Sequence, residues 1–349
     1  MAASPIFDRC TFSSLTRITD LATRPFKIEA RPRSGWATGD YVVGIVTDTS
    51  GHRAIELPNG RNMEMAEGDT VVGALGTRQA TLEMTGSWRD IGDDRIMHAL
   101  TRAGLFGHVE SRSTLVQRPL EFRYQGHVQR DDEKVTMRSA VSSVEEQPFT
   151  TPTILFAGTS MSAGKTTAAR IVTRRLKRMG LRVLGAKVSG AGRYRDVLSI
   201  QDAGADWGID FVDVGLPSTV IPEGEYRTAI HQLLSRMAQP PADVAVVEIG
   251  ASPLEPYNGT IAVEELQDAL AMTILCASDP YAVLGLETAF DMLSPDLVTG
   301  IATNTAAGTN LLHQLTDLPA FNIRDNDTHD RLDALLRERL GRTEEMPAG

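Results

Sequence analysis

The sequence predicts two domains of different class: a small β-rich, barrel-like domain over residues 1–148 and a doubly wound, mostly parallel α/β sheet over residues 149–349. Three observations carry this. Short runs separated by turn residues fill the first part, as in "FKIEA", "DYVVGIVTD" and "DTVVGALG". Continuous apolar runs alternating with amphipathic helices fill the second. The polar, aperiodic stretch "SSVEEQPFTTPT", Ser142 to Thr153, lies between them and reads as a linker. At 349 residues the chain is long enough for each part to bury its own core.

In the first part, Asp48 to Gly51, Pro58 to Gly60 and Glu67-Gly68-Asp69 punctuate the early runs, as a small antiparallel sheet or barrel requires. One helix is expected inside it. The segment "DDRIMHALTRAG" spaces Ile96, Ala99, Leu100 and Ala103 at helical intervals and stops at Gly104, a residue suited to a helix C-terminus. His98, His108 and His127 show no HxH or HExxH spacing and read as structural or surface residues. Trp36, Trp88 and Trp207 are too scattered for a nucleic-acid stacking platform and read as packing residues.

In the second part the runs "TILFAG", "RVLGAKV", "VAVVEIG", "MTILCAS", "LVTGIAT" and "AFNIR" predict strands, with a helix from Lys165 to Met179 after the first. Unbroken apolar strands are covered on both faces, and helices between them make parallel crossovers. The tail "GRTEEMPAG" is expected to fray.

The junction of the first strand and its helix reads "GTSMSAGKTT", Gly158 to Thr167. Gly164-Lys165-Thr166 ends it as a phosphate-binding loop ends, but five residues separate Gly158 from Gly164 where the standard pattern has four. Such a junction offers unpaired backbone N–H groups and the positive end of a helix dipole to a phosphate. Lys165 would add a point charge, and the Thr166 hydroxyl would bind the accompanying Mg²⁺. Glu248 ends the strand "VAVVE", where an acid can hold Mg²⁺ directly or through water, and Lys187 ends the strand "VLGAK", at the edge where ligands gather. Arg193 and Arg195 follow in a glycine-rich loop, either an anion-binding segment or a solvated basic loop. Asp202 is either a second Mg²⁺ ligand or a helix-surface acid.

Taken together, these residues resemble dethiobiotin synthetase and its P-loop relatives, the cobyrinate amidotransferases and the molybdopterin guanine dinucleotide adaptor. That family's loop has the five-residue spacing of "GTSMSAGKT", its second strand ends in a lysine before a Ser-Gly run similar to "AKVSG", and a later strand ends in an asparagine similar to Asn304 in "GIATN". The likeness covers Thr153 to about Arg324. It departs at "EIGASPLEPYNG", where the family has a glycine-rich run, at "AGRYRD", and across the β-rich part, which has no counterpart.

The resemblance implies ATP and Mg²⁺ as cofactors. Gly158, Thr159, Ser162, Ala163, Gly164, Lys165, Thr166 and Thr167 would form the nucleotide cradle, with Asn304 on the base. Thr166, Asp202 and Glu248 would hold the metal, Lys165 and Lys187 would be catalytic, and Ser189, Arg193 and Arg195 would meet the substrate. The expected activity is an ATP-dependent, C–N bond-forming ligase that activates a carboxylate or carbamate of a small molecule. An acyltransferase using acyl-coenzyme A and a nucleotide-dependent adaptor for a partner enzyme are the alternatives. A homodimer or higher homo-oligomer is expected, since relatives build their substrate site across a subunit interface.

A net charge of −10 argues against a general nucleic-acid-binding surface. Two cysteines, Cys10 and Cys276, far apart and without CxxC spacing, argue against a disulfide framework or a cysteine zinc site. No apolar run approaches the roughly 18 residues of a membrane span, and the N-terminus lacks the apolar core of a signal peptide. A cytoplasmic protein is expected.

Overall fold

The computed structural model describes residues 10–342. Most of the tail expected to fray lies outside the described residues. The chain divides into two compact units. The first takes the described residues up to Ser143 together with Ala191–Arg195 and Phe211–Pro222, and the second takes Val144–Gly190, Asp196–Asp210 and the described residues from Glu223 on. Two segments beyond the expected linker thus belong with the first unit. Buried Glu56 accepts the backbone N–H groups of Tyr194 and Arg195 at 2.8 and 2.9 Å, and Gly192 N–H donates to Pro217 O at 3.0 Å.

The first unit contains β1 (Cys10–Phe12), β2 (Lys27–Glu29), β3 (Tyr41–Asp48), β4 (Ala54–Glu56), β5 (Asn62–Glu64), β6 (Thr70–Leu75), β7 (Thr77–Ala80), β8 (Met84–Ser87), β9 (Ile96–Thr101), β10 (Leu105–Arg112), β11 (Glu121–Arg130) and β12 (Glu133–Lys134). Its strands run β1-β6-β3-β11-β9-β10-β8-β7, and a further β6–β10 pairing closes β6, β3, β11, β9 and β10 into a ring. Inside it lie Val42, Val46, Val71, Leu75, Met97, Phe106, Phe122 and Tyr124. The β4–β5 hairpin adds Ile55 to this core.

The helix expected around Ile96 is a strand instead, β9. It pairs antiparallel with both β10 and β11, so its peptide groups are satisfied by neighbours rather than within a helix. Gly104, at φ +83°, makes the turn into β10. A positive φ serves a hairpin turn as well as a helix end.

The second unit alternates β13 (Thr153–Gly158), α1 (Lys165–Arg178), β14 (Val183–Lys187), α2 (Tyr194–Gln201, its first two residues belonging to the first unit), β15 (Trp207–Asp210), α3 (Glu223–Met237), β16 (Val244–Glu248), α4 (Gly259–Leu266), β17 (Leu270–Ala277), α5 (Pro280–Ala289), β18 (Leu297–Gly300), α6 (Ala306–Leu315) and α7 (His329–Arg339). The sheet order is β15-β14-β16-β13-β17-β18, every pairing parallel. β13, β14 and β16 are buried at every position, as unbroken apolar runs require. The strand expected at "AFNIR" is reduced to one bridge, Val298 with Ala320. The chain turns at once there, with Asn322 Oδ1 accepting Arg324 N–H at 3.1 Å, while Phe321 and Ile323 still reach the core. Among the described residues no helix is long and apolar enough to cross a membrane.

The first unit is pinned by a buried carboxylate. Asp40, 1% exposed, receives Lys134 Nζ at 2.7 Å, Ala37 N–H at 2.8 Å and His127 Nε2 at 3.1 Å. Burial pushes its pKa up, but the hydrogen bonds from His127 and Lys134 outweigh this and hold it below the usual carboxylate value. A depressed pKa contributes stability that is present above the unfolded value of about 3.9 and is lost as pH falls through the lower folded value. Asp40→Asn is expected to cost about 3 kcal/mol in denaturant unfolding at neutral pH, because it deprives the buried His127 and the half-buried Lys134 of their carboxylate. The gap between wild type and variant should shrink as pH drops below about 4; a gap unchanged down to pH 2 would count against the ionised network.

Candidate phosphate-binding site

The sheet switches direction at β13. From β13 the chain goes to β14, leaving a place that β16 later fills, and from β16 it crosses to β17 on the far side. The crevice at such a switch, beyond the carboxyl ends of the strands, is where open α/β sheets bind ligands. The loop Thr159 to Gly164 and the N-terminus of α1 sit at this end of β13. Thr159 anchors the start of the loop: its N–H donates to Cys276 O at 3.0 Å, and its Oγ1 accepts Ser278 N–H at 3.0 Å. Gly164, at φ +105°, turns the chain into α1.

Lys165 is 3% exposed, and its Nζ donates to Ser160 O at 2.8 Å. Burial pulls its pKa down, with Glu248 acting in the opposite sense. Thr166 Oγ1 donates to Glu248 Oε2 at 3.0 Å. Glu248 stands in register with Phe156 of β13 and with Lys187 of β14, so one strand end presents its carboxylate between the loop and the second lysine. Burial and then the Asp196 charge push the Glu248 pKa up, against the pull of Lys187 and Lys165. Lys187, 6% exposed, pairs with Asp196. Burial acts to lower its pKa, but Asp196 and Glu248 together raise it, so it stays a cation.

Two acids at this end of the sheet, Asp196 and Asp210, are not evident from the sequence. Asp196, in the first turn of α2, reaches Lys187, whereas Asp202 lies exposed just past the end of that helix. Register explains the difference: one short loop joins β14 to α2, so the first turn of the helix, and not its far end, returns to the strand terminus. Asp210 of β15, 1% exposed and in register with Lys187, adds a further negative charge near it. A lysine at a strand end surrounded by buried partners is the signal that could have pointed to both.

Other predicted residues fall as follows. Ser189 is fully buried; its O and Oγ accept Gly250 N–H at 3.0 and 3.2 Å, tying the loop after β14 to the loop after β16. Ala163 is buried, Ser162 and Thr167 are exposed, and Asn304 is exposed just after β18. Arg193 and Arg195 belong to the β-rich unit. Cys276 is buried beside Lys165, and burial pushes its thiol up to about 12, far from a reactive thiolate. Among the described residues no cluster of three or more His, Cys, Asp or Glu side chains has metal-holding geometry.

The loop, the helix that follows it and the switch point define a P-loop α/β fold. No protein-family model matches the chain, and no curated protein matches it. Among solved structures it is similar to nickel-bound HypB from Helicobacter pylori, at 13% identity and TM-score 0.37 over 57% of this chain and 91% of that one. It is also similar to chloroplast FtsY from Physcomitrella patens, at 16% identity and TM-score 0.35 over 52% of this chain and 61% of that one. A DUF1611-family protein from Anabaena variabilis aligns at 17% identity and TM-score 0.35 over 58% of this chain and 62% of that one.

Gly300 is a further constraint that the sequence does not reveal. It ends β18 at φ +97°, and a Cβ there would lie 2.3 Å from Ala163 O and 3.0 Å from Ala277 N and O. Only a residue without a side chain lets the phosphate loop rest against the end of β18. Gly300→Ala is therefore expected to lose roughly 2 kcal/mol of stability. Gly285→Ala, in α5 with open space around the new methyl, should be neutral or gain up to about 1 kcal/mol. Equal melting temperatures for the two variants would refute the close-approach account.

Proposed function

We propose that the α/β unit binds ATP with Mg²⁺ and transfers the γ-phosphoryl group to a carboxylate or carbamate of a small molecule, forming an acyl phosphate. An amine then attacks the acyl carbon, the C–N bond forms and inorganic phosphate leaves. The observation that carries this reading is the convergence of buried Lys165, Glu248 and Lys187, with the half-buried Thr166 bonded to Glu248, where the start of α1 meets the ends of β14 and β16. Two buried lysines beside a phosphate loop favour ligands with dense negative charge.

The donor set fits the metal. Thr166 Oγ1 and Glu248 Oε2 are hard oxygens already 3.0 Å apart, and Mg²⁺ typically takes one or two protein oxygens, the rest of its shell coming from phosphates and water. Held by Thr166 and Glu248, the ion would offset the negative charge of the nucleotide phosphates. Lys165 exchanges the Ser160 carbonyl for phosphate oxygens. Lys187, kept cationic by Asp196 and Glu248, faces charge that develops on the transferring group. The carboxylate or carbamate acceptor rests on the resemblance to the dethiobiotin synthetase group.

Lys165→Ala is expected to weaken ATP binding about 100-fold in calorimetry, the worth of a lost charge-assisted contact in a buried site; an unchanged affinity would defeat the loop reading. Asn304→Ala should weaken ATP and leave inorganic triphosphate unaffected, and equal losses would remove its base-reading role. Glu248→Gln should raise the Mg²⁺ concentration needed for half-maximal ATP binding. Tight binding of acetyl-coenzyme A with none of ATP would replace this reading with acyl transfer.

A further inference from the structure

The helix that begins at the phosphate loop carries a row of unmatched positive charge. Arg170, Arg174 and Arg178 stand four residues apart along α1, so they share one face at intervals of about 6 Å along its axis. That face is the outer one. Ala168, Ala169, Val172, Thr173 and Leu176 are buried, whereas Arg174 and Arg178 are exposed and Arg170 is half-buried.

The cations that flank the row are matched. Arg175 donates its Nε to Asp333 of α7 at 2.7 Å, and Lys177 donates to both oxygens of Asp206 at 2.9 and 2.7 Å. Asp330, one turn before Asp333, also acts on Arg175. Among the described residues Arg170, Arg174 and Arg178 have no carboxylate partner, and Arg170 Nε is buried without a hydrogen bond.

Such a row works against its own helix. Like charges four residues apart repel and destabilise it. Arg178, in the last turn, gains from the negative end of the helix dipole, but that influence fades within a turn and does not extend to Arg170. Among the described residues nothing uses the row as a whole, in a chain whose net charge is −10.

The shape of the field selects among anions. The row is one side chain wide, and at 100° per residue Arg175 and Lys177 fall on opposite sides of it, so Asp333 and Asp206 border it left and right. A nucleic acid or an anionic bilayer presents broad negative charge, which would meet those carboxylates and the acidic surface beyond. Among the described residues of α1 there is also no large, exposed apolar side chain to enter a bilayer. An acidic helix is narrow, and it aligns carboxylates at positions i, i+4 and i+8 with the same repeat of about 6 Å.

We propose that the outer face of α1 docks an acidic helix of a partner protein, whose carboxylates pair one to one with Arg170, Arg174 and Arg178. The planar fork of arginine takes a carboxylate through two parallel hydrogen bonds. The row lies beyond the phosphate end of the helix, so this docking does not rest on the nucleotide chemistry.

The test is fluorescence anisotropy on the full chain at low salt, with three labelled probes: an alanine-based helical peptide carrying glutamates at every fourth position on one face, its isomer with the glutamates spread around the helix, and an oligothymidylate. Co-sedimentation with phosphatidylserine vesicles accompanies it. Saturable binding of the aligned peptide is expected, tighter than that of the other probes and weakened by added salt. The triple variant Arg170→Gln, Arg174→Gln, Arg178→Gln should bind it roughly tenfold more weakly, the combined worth of three exposed ion pairs, and should melt no lower than wild type. A second triple variant, Arg53→Gln, Arg61→Gln, Arg118→Gln, makes the same change of net charge in the β-rich unit and should bind as wild type does. Arg174→Glu alone, at the exposed middle of the row, should also weaken binding, and it decides the question if the first triple variant is unstable. No binding of the aligned peptide, equal binding of its isomer, preference for the oligothymidylate or the vesicles, or equal affinities in the two triple variants would overturn the proposal.

Discussion

The α/β unit is organised around charge held out of water. Lys165, Lys187, Glu248 and Asp210 are each less than a tenth exposed, and they cluster at the carboxyl ends of β13, β14, β15 and β16. An isolated charge moved into a protein interior costs several kcal/mol, so none of these groups is tolerable alone. Their parallel register makes the arrangement possible: Lys187, Glu248 and Asp210 occupy equivalent positions on neighbouring strands, each a few ångströms from the next. The opposed pKa shifts of Lys165 and Glu248, one down and one up, mark how much each depends on burial.

That dependence explains the geometry of the loops. The loop after β14 must bring Asp196 to Lys187, and the loop after β16 must stay close enough for Gly250 to donate to Ser189. The phosphate loop must lie low enough for Lys165 to reach Ser160 O, which requires Gly300 beneath Ala163. Mutating any one of these changes the partners available to the others. A site of this kind is preorganised: its donors are already aimed, and a bound anion would replace internal partners instead of ordering a mobile loop.

The legible parts of this site were those encoded locally. The phosphate loop is ten consecutive residues, and Lys187 and Glu248 each end an apolar run of the α/β part. Asp196 was not legible, because its role depends on where α2 starts, and helix boundaries are among the weakest inferences from sequence. Gly300 was not legible either, since its constraint comes from Ala163, which lies 137 positions earlier in the chain. In the β-rich unit, Met97 and Ala99 alternate as a strand should, while Ile96, Ala99, Leu100 and Ala103 also fit a helix. Six residues are too few to separate the two periods, and pairing with β10 and β11 decided between them.

The two units also divide the cationic chemistry by residue type. Both buried cations at the phosphate loop are lysines, compact point charges that a buried carboxylate can neutralise and that a phosphate can take over. In the β-rich unit the gathered cations are arginines: burial and then the charges of Arg193 and Arg195 lower the pKa of Arg102, against the pull of Glu56, and all three are exposed along part of their length. Arginine keeps its charge even beside two others, because its pKa begins so high that a moderate depression leaves it protonated. Lysine in the same company would shed a proton more readily. A fold that gathers like charges near its surface therefore needs arginine there, and a fold that buries cations against carboxylates is served by lysine.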